Sequence, residues 1–335
     1  YYAKTAAPYL LRVVAPPTDI YTHSIFKEED IAQEKGAIVG EINMYEDIPM
    51  RKVGDLFMKL VYGDQPAGWE IAGPKELVTS FTREDFSAYR KVHYVPSATL
   101  VVVSGKFDPV KILAQIKKEF GGIVPAKKKG KVKVKEVQTA PQVALEYKES
   151  DQTHLIVGVR AFPLRHRLHY PLALLSGVLG VGMSSRLFQK VRTEMGLGYY
   201  VRSSHETFSD HGILSASAGV VNERAEEAVA AIVEQFKRLT TELVTDEELL
   251  KAKDMFSGRL LLGLESSDEV GEFYGGQEIQ HEPLETPEEV IKKIRAVTPK
   301  EIREAAKRVF QNDRLNLALI GPWKDDAGFV KVLKF

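Results

Sequence analysis

Along Lys27–Glu46 the apolar residues Ile31, Ile38, Ile42 and Tyr45 recur at helical spacing behind a charged start, Lys27-Glu-Glu-Asp30, which predicts one helix stopped by Pro49. The same periodicity predicts helices at Val53–Val61, Arg83–Val92 behind a Thr82 cap, and Asp108–Phe120, with a Gly/Pro-rich loop at Gly63–Gly68. Ala98–Ser104 is a short β-rich run and predicts a strand. Further along, strands are predicted at Gln142–Tyr147, His154–Arg160, Tyr199–His205, Gly212–Gly219 and Leu315–Gly321. Helices are predicted at Tyr170–Leu179, Ser184–Glu194, Arg224–Glu242, Asp246–Glu265, Glu269–Gln280, Pro287–Ala296 and Pro299–Val309.

Helices alternating with short β-rich runs indicate α/β or α+β layering. Between Phe120 and Gln142 the periodicity lapses, and turn formers precede a dense positive run through Lys127-Lys-Lys-Gly130 and Lys131-Val-Lys-Val-Lys135. A domain boundary is placed there: residues 1–122, a Lys-rich linker over 123–141, and residues 142–335. The flanking text is parallel. Thr82-Arg-Glu-Asp-Phe leads to Leu100-Val-Val-Val-Ser-Gly105 much as Thr298-Pro-Lys-Glu-Ile leads to Leu317-Ala-Leu-Ile-Gly321, each a capped helix feeding an apolar strand that ends in glycine. Two copies of one fold, the first incomplete, is the economical reading.

Composition narrows the chemistry. The 335 residues carry 46 Lys+Arg against 46 Asp+Glu, so net charge is zero and no general polyanion-binding footprint is present. The linker lysines lack interleaved aromatics and read as a solvated linker rather than a nucleic-acid or lipid patch. With Cys 0, thiolate nucleophiles and Cys-based zinc sites are excluded, and any metal must be held by carboxylates and the 8 His. The longest nearly apolar stretch, Leu172–Met183, holds Ser176 and three glycines and falls short of the ~20 residues of a membrane span. The chain opens Tyr-Tyr-Ala-Lys without Met or a readable leader, so an upstream segment is expected and no compartment is assigned.

Four residues stand out. Glu34 and Glu41 lie two turns apart on the predicted helix and project from one face, which suits either a metal ligand with a carboxylate behind it or a solvated acidic face. Arg192 and Tyr199 bracket Thr193-Glu-Met-Gly-Leu-Gly198 and suit donors to a substrate carbonyl. The alternative is a surface ion pair of Arg192 with Glu194 and a tyrosine packed on a sheet. Gly180-Val-Gly-Met-Ser-Ser185 lacks the lysine of a phosphate loop and reads as a helix start capped by Ser184 or Ser185. His166 and His169 read as surface histidines. Gly-x-Ser-x-Gly, His-Glu-x-x-His and His-x-x-Glu-His are all absent.

Three blocks, Gln33–Pro49, Gly180–Phe188 and Val191–Tyr199, together resemble the M16 family of zinc peptidases, in its short bacterial two-domain form, over essentially the whole chain. The resemblance implies two homologous domains, each a mainly antiparallel sheet packed with helices. It further implies a zinc-dependent endopeptidase that cleaves extended peptides in an interdomain cleft, the peptide adding to a sheet edge of the first domain. On that resemblance Glu41 is a zinc ligand, Glu34 orients the site behind it, and Arg192 and Tyr199 hold the substrate carbonyl and oxyanion. The two His ligands and the general-base Glu of His-x-x-Glu-His are expected upstream of Tyr1, so this chain alone is expected to be inactive and to bind Zn2+ weakly, with His23 and His93 as the first suspects should it bind zinc tightly. The partners implied are a peptide or unfolded protein substrate, and a homodimer or M16 partner subunit; nucleic acid and a membrane span are not. The rival readings are a non-catalytic M16 scaffold subunit and a peptide-binding module without chemistry. Ala15-Pro-Pro-Thr18 departs from the family, whose members continue a helix there, and puts the register of Val14–Ile20 in question.

Overall fold

Pro49 ends one helix and begins the next in the computed structural model, which describes Tyr1–Phe335. Helix α1 spans Glu28–Glu46 and helix α2 spans Pro49–Tyr62, with proline in the first turn, where its missing N–H has no helical acceptor in any case. The same logic resolves Ala15-Pro-Pro-Thr18. Both prolines fall in the first turn of the helix Ala15–Thr22, so a helix starts where an interruption was expected.

The chain divides into two compact units, each assembled from separate stretches. The first comprises Tyr1–Gly40, Pro74–Lys131 and Leu260–Thr286. It is helical and contains none of the strands. The predicted strand Ala98–Ser104 is a correction: Pro96–Ala98 forms a 3-10 turn, and the residues that follow run outside any sheet, because no other strand lies alongside to accept their hydrogen bonds. Instead Val102 and Ser104 pack on Gly271 and Gly275, one turn apart on the helix Ser267–Ile279. The Thr82 cap forms as predicted, with Asp85 completing a capping box.

The second unit comprises Glu41–Gly73, Val132–Arg259 and Pro287–Phe335. It holds a five-stranded sheet of β1 (Gln142–Tyr147), β2 (Gln152–Ala161), β3 (Gly198–Thr207), β4 (Gly212–Val221) and β5 (Leu315–Gly321), in the order β1-β5-β2-β4-β3. Only the β1–β5 pair is parallel. One face is covered by α3 (His169–Gly180), α4 (Ala225–Thr241) and α5 (Pro299–Val309), which close the main core around Leu155, Val157, Leu214, Phe236, Ile302 and Leu317. The Thr298 cap predicted for α5 is a capping box with Glu301.

The other face is covered only in part. Helix α2 lays Val53, Phe57, Val61 and Tyr62 against Ile213, Ala318 and Ile320. Lys52 meets Glu146 of β1 at 3.4 Å, and Tyr62 donates to the carbonyl of Gly212 at 3.3 Å. The Lys-rich stretch has no regular secondary structure, yet its end is fastened within this unit: Val134 N–H donates to Asp210, and Lys135 exchanges two hydrogen bonds with Gln65. On the β3–β4 half of this face, α2 reaches Ile213 and the Gly212 carbonyl of β4.

Candidate functional site

Arg192 and Tyr199 both stand on irregular backbone. The run predicted as an α-helix over Ser184–Glu194 becomes a π-helix at Phe188–Glu194, and Arg192 lies inside it. The wider turn continues past its end, where Met195 N–H reaches the Lys190 carbonyl and Leu197 N–H reaches that of Val191. Gly196, at φ 62°, supplies the left-handed residue that reverses the chain. Arg224 donates to the Met195 carbonyl at 3.0 Å and fixes this turn from α4's entrance. π-Helical turns are rare and concentrate at functional sites.

Tyr199 follows directly. Gly198 pairs with Val220 and Tyr200 with Gly219, so Tyr199 is the extra residue of a β-bulge at the start of β3. It is 58% exposed and makes no hydrogen bond. Arg192 is also exposed, and its guanidinium lies over the Phe188 ring at 5.0 Å from the ring centre. The ion pair with Glu194 does not form, since Glu194 is taken by Lys190 at 2.9 Å. Two hydrogen-bond donors are therefore presented to solvent on either side of one pinned turn, with their backbone held by Val191 and Leu197, both fully buried.

The proposed Ser184/Ser185 cap is corrected in part. The Ser185 carbonyl accepts from Gln189 N–H, but its hydroxyl donates to the Gly182 carbonyl at 2.6 Å instead of capping a helical N–H. Gly180 is required for packing: a Cβ there would stand 2.4 Å from the backbone nitrogen of Ser203 on β3.

Beyond Tyr199 the open half of the sheet forms rows that the sequence did not announce. Tyr200 lies over Gly219 and its hydroxyl meets His154 Nδ1 at 3.1 Å. Burial holds the Tyr200 phenol up at about 12, slightly offset by Arg202, and burial lowers the His154 imidazole. Both directions favour the neutral pair. Arg202 Nε donates to Ser217 at 3.2 Å in the next row, and Ser204 meets Ser215 at 3.1 Å in the one after. Small residues on β4 make room for long ones on β3.

His166 and His169 are corrected from surface positions. Both are half-buried, His166 stacked on Phe162 and His169 near His205. Burial, with His169 as a lesser cause, lowers His205 to about 4, so it is neutral near pH 7.

Glu34 and Glu41 both lie on α1, two turns apart as predicted. Ile31, Ile38 and Ile42 form the inward stripe of that helix, while both glutamates are exposed and make no hydrogen bond or ion pair. His23 bonds Asp19 at 2.9 Å and His93 stacks on Tyr89. Nowhere do three His, Asp or Glu side chains gather in a way that could hold a metal ion, and the residues present do not fit zinc. No helix is long and apolar enough to cross a membrane.

Comparison with known proteins adds a family to this geometry. The description Peptidase M16 inactive domain matches residues 80–256. A Bacillus subtilis protein named as an uncharacterized zinc protease, YmxG, is 33% identical over 325 residues, covering 96% of this chain and 78% of that protein. A Streptomyces coelicolor protein, also named as an uncharacterized zinc protease, is 29% identical over 97% of this chain and 72% of its own length. Among solved structures, a Helicobacter pylori protease superposes with a TM-score of 0.88 at 20% identity, over 95% of this chain and 78% of that one. A peptidase M16 inactive domain from Pseudomonas fluorescens gives 0.84 at 18% identity, over 94% and 74%.

Proposed function

The chain belongs to the M16 peptidase family, and we propose that it supplies the peptide-holding side of such a peptidase, with Arg192 and Tyr199 as donors to the carbonyl of an extended substrate. The observation that carries this reading is the display of both side chains by a π-helix and a bulge around one fixed turn. Regular helix and strand would point residues at those spacings along the element, whereas the irregularities leave both free in solvent. Arg192 gives a charged donor that grips the ground-state carbonyl. Tyr199 gives a neutral donor whose bond strengthens as negative charge develops on that oxygen. Names of the relatives place zinc in the family, and Glu41 is our candidate for this chain's share of a metal site, with Glu34 behind it. One exposed carboxylate does not make that site, so no hydrolytic step is assigned to these residues alone.

Peptide binding tests the reading. Arg192→Ala should weaken affinity for a labelled extended peptide about tenfold, the effect of removing a charged hydrogen bond worth roughly 1.5 kcal/mol or more. Tyr199→Phe should weaken it severalfold or less in the ground state. Unchanged affinity in both variants, with thermal stability intact, would return them to a surface arginine and an idle tyrosine. A second reading, a non-catalytic M16 subunit that binds peptide without cutting it, is favoured by the matched inactive domain. Turnover of the same peptide with zinc present separates the two.

A further inference from the structure

The outer edge of β3 meets no other strand, and it is the longer of the two free edges, at 10 residues against 6 for β1. The charges near β1 are satisfied: Glu146 by Lys52, and Lys148 by the Glu46 carbonyl. Those on β3 are not. Arg202 and Glu206 are exposed, neither has an ion-pair partner, and Arg202 spends only its Nε on Ser217. They lie four residues apart on one face, about 13 Å at strand rise, too far to pair with each other.

We propose that the β3 edge is a docking strand for an extended peptide running antiparallel to it, with Arg202 and Glu206 selecting a basic residue followed four positions later by an acidic one. The antiparallel direction matches the pairing β3 already makes with β4 and is the more stable mode. A peptide so placed puts its basic residue opposite Glu206 and its acidic residue opposite Arg202, on the face where cross-strand side chains are about 5 Å apart. Main-chain hydrogen bonds supply affinity and the two charges supply register. Downstream of its acidic residue, the peptide passes the bulge that displays Tyr199. The occupant is argued from this charge order, and the inference rests on the peptide-holding reading above.

The test uses the full chain and ten-residue fluorescein-labelled peptides built on Thr, Ser and Val. One carries Lys-x-x-x-Glu, one the reversed Glu-x-x-x-Lys, and one glutamine at both positions. Fluorescence anisotropy at low salt should show the Lys-x-x-x-Glu peptide binding roughly fivefold or more tightly than the reversed one, because the reversal replaces two attractive cross-strand pairs with two repulsive ones. The double exchange Arg202→Glu with Glu206→Arg should invert the preference, a result that a folding defect would not give. If all three peptides bind alike and the exchange changes nothing, the edge proposal falls while peptide holding stands. If none binds below millimolar concentration, the reading of the whole site falls with it. The strand's own Arg202-x-x-x-Glu206 is self-complementary, so sedimentation is run alongside. A dimer abolished by Arg202→Glu and unaffected by peptide would make a second copy the occupant and overturn the proposal.

Discussion

Replacing Gly158 by alanine tests whether helix α2 is seated on the sheet through one aromatic contact. A Cβ at Gly158 would stand 2.6 Å from Phe57 Cζ, 2.9 Å from Ser215 Cβ and 3.0 Å from the Leu214 carbonyl. Phe57 is 2% exposed, and its ring has no route to solvent without emptying the space between α2 and β2. Overpacking of this kind costs about 1–3 kcal/mol. Phe57→Leu removes the far edge of the ring and leaves a small void, for roughly 1–2 kcal/mol. In the double variant the new methyl occupies volume the ring has vacated. The combined loss should therefore fall short of the sum by at least about 0.5 kcal/mol, the coupling expected of residues in contact. Full relief is not expected, since Ser215 and Leu214 belong to the sheet and remain. Trp69 and Trp323 are the two tryptophans and both belong to the second unit, so urea unfolding followed by tryptophan fluorescence reports on the right part of the chain. Additive losses, or a neutral Gly158→Ala, would show that Phe57 does not fill the glycine's space and that α2 is held by its other residues.

Three further outcomes follow from the geometry. His205, lowered to about 4 when folded against about 6.5 when unfolded, contributes stability that is present above pH 6.5 and lost as pH falls toward 4. His205→Phe should remove on the order of 2 kcal/mol of the difference between the urea unfolding free energies at pH 7 and pH 4.5, and an unchanged difference would refute the buried neutral imidazole. Thr298→Ala, which breaks the capping box of α5, should cost about 1 kcal/mol in the same assay, while a loss below about 0.3 kcal/mol would show the cap to be dispensable. Calorimetric titration with zinc should show no site tighter than micromolar, because Glu41 has no histidine partners. A tight 1:1 site lost in Glu41→Gln would show that ligands assemble in solution.

How much of this was legible in the sequence depends on the range of the interaction that decides each element. Caps and helices followed from local chemistry, so Thr82 and Thr298 were read correctly, as were the five strands of the sheet. Ala98–Ser104 was misread because a strand is defined by its neighbour, and no periodicity reports one. At Ala15-Pro-Pro-Thr18 the sequence leaves the register in question because proline's meaning changes with its place in the turn. The four candidate residues rest on resemblance, since carboxylates at helical spacing or an arginine before a glycine turn are common on any surface. What displays Arg192 and Tyr199 was invisible: a π-helix and a bulge each arise from a one-residue mismatch between a segment's length and the packing on either side. The buried histidines were missed for a related reason, since β3 reads as an ordinary half-exposed strand until α3 closes over its end.

The position of β5 in the sheet has a consequence for how the protein is made. Residues 315–321 lie between β1 and β2, and β1 pairs with nothing else. A nascent chain therefore carries β1, whose pairing residues end at Tyr147, without a partner through the synthesis of more than a hundred residues, until residues 315–321 have emerged. Loss of the chain from residue 315 onward would remove an interior strand from the sheet rather than trim its edge. Premature termination or C-terminal proteolysis of the emerging chain should expose two unpaired strand edges at once, and such products are expected to be aggregation-prone and early targets of quality control.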